Sequence, residues 1–136
     1  MININNFSEI NEELELKLKN FILLYFSESR LYTYEIIIYI LDDNSNEIIG
    51  FTGLNIYNNT ILINQLCVNT QKRNKGIATS ILAFIENKFK NYNLILYVRK
   101  YGDNPNTECL YNFYIKRGFK EIYSDKYKYK LLKTLI

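Results

Sequence analysis

The sequence predicts a mixed α/β domain built around one central sheet. Three patterns lead to it. Short runs rich in β-branched and aromatic residues alternate with turn-forming residues. Segments with apolar residues at helical spacing fall between those runs. One strand-like run, Leu94 to Arg99, is nearly continuous in apolar character, as a strand at a sheet centre is. With 136 residues, 48% of them hydrophobic and 15% aromatic, the chain has material for a core and is expected to form a single domain, 1–136.

The elements follow in order. Ser8 suits a helix cap, Glu9, Glu12 and Glu13 favour its positive end, and Ile10, Leu14, Leu18, Phe21 and Tyr25 share a face, so a helix is expected from Ser8 to Phe26. Any strand before it is reduced to Ile2 to Ile4. Tyr34 to Leu41, Glu47 to Tyr57 and Thr60 to Asn69 read as an antiparallel meander. Asp42 to Asn46 is turn chemistry, and Asn58-Asn59 suits a tight hairpin because Asn tolerates positive φ. Lys75 to Asn91 reads as a helix whose stripe is Ala78, Leu82, Ile85 and Phe89. The strand Leu94 to Arg99 leads to a loop marked by Gly102 and Pro105. A helix from Thr107 to Arg117 ends at Gly118. Phe119 to Tyr123 and Tyr127 to Leu132 close the sheet.

Composition removes several function classes. Net charge is +3, less than a dedicated nucleic-acid binder concentrates and suited to holding an anionic ligand. Neither a nucleic-acid nor a membrane partner is expected. No apolar run approaches the roughly 20 residues that cross a bilayer. The start, Met1-Ile-Asn-Ile-Asn5, lacks the regions of a signal peptide. Two cysteines, Cys67 and Cys109, are too few for a disulfide scaffold, which favours reduced thiols and a cytoplasmic location. The chain has no His, which removes most metal sites, the Ser-His and Cys-His pairs and any His base, so no metal is expected. The surplus of Asn, Ile and Lys suggests an AT-rich genome, so single occurrences of Lys or Asn carry little weight.

Two stretches carry chemistry. Arg73-Asn-Lys-Gly-Ile-Ala78 lies directly between a strand and a helix. A helix N-terminus offers free N–H groups and partial positive charge, which together suit a phosphate. Gly76 lets the backbone approach a ligand without a Cβ, and Lys72, Arg73 and Lys75 add charge. The same turn also reads as a basic surface cap on a core helix. It is not a P-loop, because no Gly-Lys-Ser/Thr follows. The second stretch is Phe113-Tyr114-x-x-x-Gly118-Phe119, which read alone is a packed aromatic helix. Cys67 reads as a small apolar residue on a core strand. The tail Lys126-Tyr-Lys-Tyr-Lys130 reads as a strand with Tyr on one face and Lys on the other.

In this order the two stretches resemble the core of the GNAT superfamily, the general N-acetyltransferases. The resemblance is close over Gln65 to Phe119, looser over the meander and weak before residue 30. Arg73, Gly76 and Ala78 fall on the acetyl-CoA signature Arg/Gln-x-x-Gly-x-Gly/Ala. It implies a GNAT fold, with a mostly antiparallel sheet flanked by helices and a splayed strand pair at the cofactor cleft. It implies that N–H groups from Arg73 through Asn74, Lys75, Gly76, Ile77, Ala78 and Thr79 hold the CoA pyrophosphate. It places Leu66, Cys67 and Val68 along the pantetheine arm, with Leu66 or Cys67 N–H as oxyanion donor. Tyr114 matches the tyrosine that protonates the departing thiolate, a reasonable transfer for a phenol with a reference pKa near 10.

The chain departs from that pattern in places. The strand before the turn shows Leu62, Asn64 and Gln65 and no carboxylate. Asn64 and Gln65 can orient a water or the substrate, while Glu108 and Asp103 are the nearest carboxylates by topology. Thr107 stands where the family has Asn, with Asn106 beside it as a cofactor contact. The long loop from Lys100 to Asn106 is expected near the acceptor. The reading is an N-acetyltransferase of a small-molecule primary amine such as an amino sugar, polyamine or amino acid, monomeric or dimerising through Tyr127 to Leu132. The alternatives are a protein acetyltransferase acting on Lys or an N-terminus, a CoA-binding regulatory module without turnover, and a basic nucleic-acid binder.

Overall fold

A computed structural model of the chain describes residues 1–73, 75–100 and 106–135, and of Asn106 only the backbone. Its strands are β1 Ile2–Asn6, β2 Ile36–Leu41, β3 Ile48–Tyr57, β4 Thr60–Val68, β5 Asn93–Arg99, β6 Lys120–Ser124 and β7 Lys128–Thr134. Its helices are α1 Glu12–Leu23, α2 Ile77–Lys88 and α3 Asn106–Lys116. The strand order is β1-β2-β3-β4-β5-β7-β6. Pairs β1–β2, β2–β3, β5–β7 and β6–β7 are antiparallel, and β4–β5 is parallel. This is the mixed, mostly antiparallel sheet with helices that the sequence predicts. Contacts divide the chain into two compact units, Met1–Asn55 with Ile63–Phe89 and Ile56–Leu62 with Lys90–Ile136.

The first unit is built on α1. Leu18, Phe21 and Ile22 form one stripe and bury it with Ile37, Tyr39, Ile48, Phe51 and Cys67 of β2, β3 and β4. Each fully buried Leu, Ile or Phe contributes about 1.5–3 kcal/mol. On α2, Ile81, Leu82 and Ile85 are fully buried. This helix approaches β3 at Gly50, where an added Cβ would lie 2.9 Å from Ile77 Cγ2 and 3.2 Å from Ile81 Cδ1. In the second unit Leu94, Leu96 and Val98 of β5 are buried, as are Tyr114, Phe119 and Leu131. The tail alternates as expected. Lys128 and Lys130 approach the Tyr97 ring at 4.8 and 5.8 Å, while Tyr129 packs on Tyr111 at 4.7 Å between centroids.

The boundaries differ at the N-terminus. β1 extends to Asn6 and pairs with β2 along its whole length, Ile2↔Ile40 to Asn6↔Ile36. Ser8 caps nothing. It lies in a 3-10 turn, Phe7–Glu9, whose Phe7 N–H donates to Glu35 O at 3.0 Å. That tertiary bond delays the helix, which is capped instead by Asn11 Oδ1 accepting from Leu14 N at 2.8 Å. At the other end α1 stops at Leu23, and Tyr25 is drawn away to accept a bond from Thr70 N at its phenol, 3.1 Å. Among the described residues no helix is long and apolar enough to cross a membrane.

Candidate functional site

Strand β4 carries an irregularity in its middle. Gln65 has φ 46, a left-handed conformation that a non-glycine residue rarely adopts. Its side chain holds it there. Gln65 Oε1 accepts from the Tyr34 hydroxyl at 2.5 Å and from Arg30 N at 3.3 Å, and Nε2 donates to the Glu28 carbonyl at 2.9 Å. Tyr34 is itself fixed, being 4% exposed and set against Phe51. Burial first, and then the nearby Cys67 and Glu28 against the opposing Arg30, push its phenol up to about 12. The Gln65 amide is therefore engaged by the protein's own segment 28–34. Asn64 donates to Asn55 Oδ1 at 3.4 Å, and its carbonyl accepts from Thr52 Oγ1 at 2.8 Å.

Immediately beyond this point come Leu66, Cys67 and Val68. Burial pushes the Cys67 thiol up to about 12, with Arg73 opposing, so it is no nucleophile at neutral pH. Its small side chain lies in the core.

The chain then turns. Asn69 N donates to Ile49 O at 2.8 Å, and Asn69 Oδ1 accepts from Gln71 N at 2.8 Å, closing a 3-10 turn, Thr70–Lys72. Lys72 pairs with Asp42 at 3.2 Å. The turn amide of Asn44, then Lys72 and the Ser45 amide, hold the Asp42 carboxyl below its ordinary value. Arg73 Nε donates to Val68 O at 3.3 Å, and its guanidinium sits 5.4 Å from the Tyr25 ring centroid. Of the three cations of this turn, two are thus tied to the protein, and Lys75 is exposed.

Gly76 opens α2 with φ 78, and no side chain caps the helix there. The first intrahelical bond comes from Ser80 N to Gly76 O at 2.8 Å. The N–H groups of Ile77, Ala78 and Thr79 precede it. Nothing lies within 4 Å of where a Gly76 Cβ would be, so glycine is required here by its φ, and the space beside it is open. An uncapped, buried-stripe helix entered from a core strand is a ready anion site.

Tyr114 belongs to the second unit. It is 7% exposed, and burial raises its phenol well above the ordinary value. The spacing to Gly118-Phe119 has a physical meaning. Phe119 N donates to Tyr114 O at 3.1 Å and Gly118 N to Ile115 O at 3.0 Å, with Gly118 at φ 99. These are the two bonds of a Schellman stop, and Phe119 completes it by packing on the Tyr114 ring at 5.7 Å. The motif therefore ends α3 and fixes the tyrosine backbone in one device. At the start of α3, Thr107 Oγ1 donates to Arg99 O at 3.1 Å, and Glu108 is exposed in the first turn.

Leu66 to Val68, Arg73, Lys75 and Gly76 to Thr79 fall together in the first unit, and Tyr114 with Thr107 in the second. Asn74 and Asp103, with most of the loop from Lys100 to Asn106, lie outside the described residues, as does the Asn106 side chain. Sequence reasoning missed the Gln65–Tyr34–Glu28 cluster. No local signal marks it, since its bonds span 31 to 37 residues.

The family model for the acetyltransferase (GNAT) domain matches residues 34–121, which holds both motifs. No curated protein matches the sequence. Among solved structures, a GNAT-family acetyltransferase from Staphylococcus aureus Mu50 shares the fold at TM-score 0.73 and 20% identity, with 100% of each chain covered. The aminoglycoside 6'-N-acetyltransferase from Enterococcus faecium does so at 0.73 and 20%, covering 98% of this chain and 97% of that one. A chain of the NatC complex bound to Gag peptide and CoA aligns at 0.75 and 22%, with 99% of each covered. With the family model spanning most of the chain and the glycine turn and aromatic stop both inside it, the chain belongs to the GNAT acetyltransferase family.

Proposed function

We propose that the chain is a single N-acetyltransferase domain, 1–136, that moves acetyl from acetyl-CoA to a primary amine of a small molecule. The observation that carries it is the left-handed Gly76 opening an uncapped helix beyond the turn that follows β4, with free space beside it. Main-chain N–H groups of Arg73 to Thr79 hold the pyrophosphate, with Lys75 as the exposed cation and Asn106 as a further contact. Leu66, Cys67 and Val68 run along the pantetheine arm. The amine nitrogen attacks the thioester carbonyl directly, and a Leu66 or Cys67 N–H receives the developing oxyanion. As the C–S bond breaks, Tyr114 gives its proton to the sulfur. Burial keeps that phenol protonated far above neutrality, so the donor form is always present. Asn64 lines the acceptor side of β4.

The test is calorimetric titration of acetyl-CoA into the wild type and into an Arg73→Glu, Gly76→Glu double variant. Micromolar binding that the variant loses supports the site. An amine panel of amino sugars, polyamines, amino acids and a Lys peptide then sorts the acceptors. Absence of binding by the folded wild type would reduce the turn to a helix cap, and acetylation of the peptide alone would move the chain to protein substrates.

A further inference from the structure

The left-handed Gln65 is held by two separate devices. One acts on the residue before it. The Asn64 carbonyl accepts from Thr52 Oγ1 at 2.8 Å, and Thr52 is fully buried, the one polar side chain so placed among the described residues. A hydroxyl in an apolar core is costly unless it is bonded, so this bond is retained for as long as the core is. The other device is the Gln65 amide itself. It accepts from the Tyr34 hydroxyl at 2.5 Å and from Arg30 N at 3.3 Å, and it donates to the main-chain carbonyl of Glu28 at 2.9 Å.

Strand β3 serves both devices with consecutive residues. Thr52 supplies the hydroxyl, and Gly53 leaves the room that the Tyr34 ring fills, since a Cβ there would lie 2.0 Å from Tyr34 Cδ2. Tyr34 is 4% exposed and packs on Phe51 at 6.3 Å between centroids, so its hydroxyl is delivered to one place. A residue at positive φ inside a strand disrupts the ladder and re-aims the main chain beside it. The main chain next to Gln65 is that of Leu66 and Cys67, whose N–H groups the reaction proposed above uses. Donors to a developing oxyanion act only when they are fixed in advance, because turning them during the reaction costs what they would gain.

We propose that Thr52, Gln65 and Tyr34 are positioning residues that aim the Leu66 and Cys67 N–H groups at the thioester oxygen, so that Gln65 acts on the thioester rather than on the acceptor. This deepens the transfer reading above and rests on it. The amine lone pair forms the C–N bond as the carbonyl π pair moves to oxygen, and the aimed N–H groups meet that charge. No proton or electron passes through the three side chains. Their removal therefore affects the polarisation of the thioester before any acceptor is present.

The experiment is infrared difference spectroscopy of carbonyl-labelled acetyl-CoA bound to the wild type, Gln65→Leu, Thr52→Val and Tyr34→Phe, each shown to be folded by circular dichroism. Calorimetric acetyl-CoA Kd, kcat and amine KM are measured on the same samples. The wild type is expected to move the thioester carbonyl to lower frequency than in free acetyl-CoA. Gln65→Leu and Thr52→Val should return it toward the free value and lower kcat about 100-fold, with acetyl-CoA Kd and amine KM unchanged. Tyr34→Phe removes one hydrogen bond and keeps the ring, so it answers the question even where Gln65→Leu does not fold. It should show a smaller shift and a loss of about 10-fold in kcat. Folded variants with the wild-type frequency and kcat overturn the positioning role and leave the transfer reading in place. A raised amine KM at unchanged frequency overturns it as well, by putting Gln65 at the acceptor. A folded wild type that does not bind acetyl-CoA overturns the transfer reading, and this role with it.

Discussion

Strand β4 with its turn and helix α3 with its stop are assembled in opposite ways. In the proposed reaction β4 supplies main-chain N–H groups, and side chains serve to bend and hold them. Gln65 is anchored by Tyr34, and Gly76 is present for its φ of 78. In the same proposal α3 supplies one phenol oxygen, and the main chain holds its residue through the bonds of Gly118 and Phe119. A site built from backbone tolerates many side-chain changes but fails when a conformational anchor is lost. One built from a single side chain fails at that residue and is otherwise robust.

The largest effect should come from the β4 anchor. An added Cβ at Gly53 would lie 2.0 Å from Tyr34 Cδ2, so Gly53→Ala must displace the buried ring that holds Gln65. We expect a loss of ~3 kcal/mol, read as a fall in the urea midpoint. A stability within error of wild type would mean that Tyr34 moves freely and anchors nothing. Next is Tyr114→Phe, which keeps the ring packing on Phe119 and removes only the oxygen. About 100-fold should be lost from kcat with acetyl-CoA affinity retained. Full turnover would take the α3 phenol out of the reaction.

Gln65→Leu leaves the Tyr34 hydroxyl, the Glu28 carbonyl and Arg30 N without their shared partner, at a cost of ~2 kcal/mol, and Tyr34→Phe should cost ~1 kcal/mol. A double-mutant cycle between them checks that the two losses overlap, and strict additivity would deny the clamp. Gly118→Ala forces a Cβ into φ 99 and to 3.2 Å from Lys133 Cε, for ~1 kcal/mol on the α3 side, readable as a modest drop in Tm.

A last effect is absent at neutral pH. The Tyr34 phenol rises from 10.0 to about 12 and the Cys67 thiol from 9.0 to about 12 on folding. In the unfolded chain both lose their protons first. The stability they confer is therefore full below pH 9.0 and is lost progressively as pH climbs through 9.0 toward about 12. Urea midpoints at pH 7.5 and 11 should show a drop that Tyr34→Phe reduces, and an equal drop in the variant would place the alkaline loss elsewhere.

Much of this was readable from local pattern. Arg73-x-x-Gly76-x-Ala78 and Tyr114-x-x-x-Gly118-Phe119 are short, and their geometry is made by neighbours: a glycine for a positive φ, a glycine for a helix stop, an aromatic to close it. The failures lie where distant residues intervene. Ser8 has cap chemistry, but the Phe7–Glu35 bond claimed that stretch for a 3-10 turn and left the cap to Asn11. Gln65 reads as a polar strand residue free to meet substrate, whereas its amide is engaged from residues 28, 30 and 34.

The order of elements, the alternation of the tail strand and the two motifs follow from local sequence. Each depends on periodicity or on a residue's own conformational range, and both act over a few positions. Tertiary contacts instead impose φ 46 on Gln65 and bring the main-chain carbonyl of Glu28 to its side chain. Local preference opposes a left-handed glutamine by ~1–2 kcal/mol, and it is three hydrogen bonds from 31 to 37 residues away that reverse the balance.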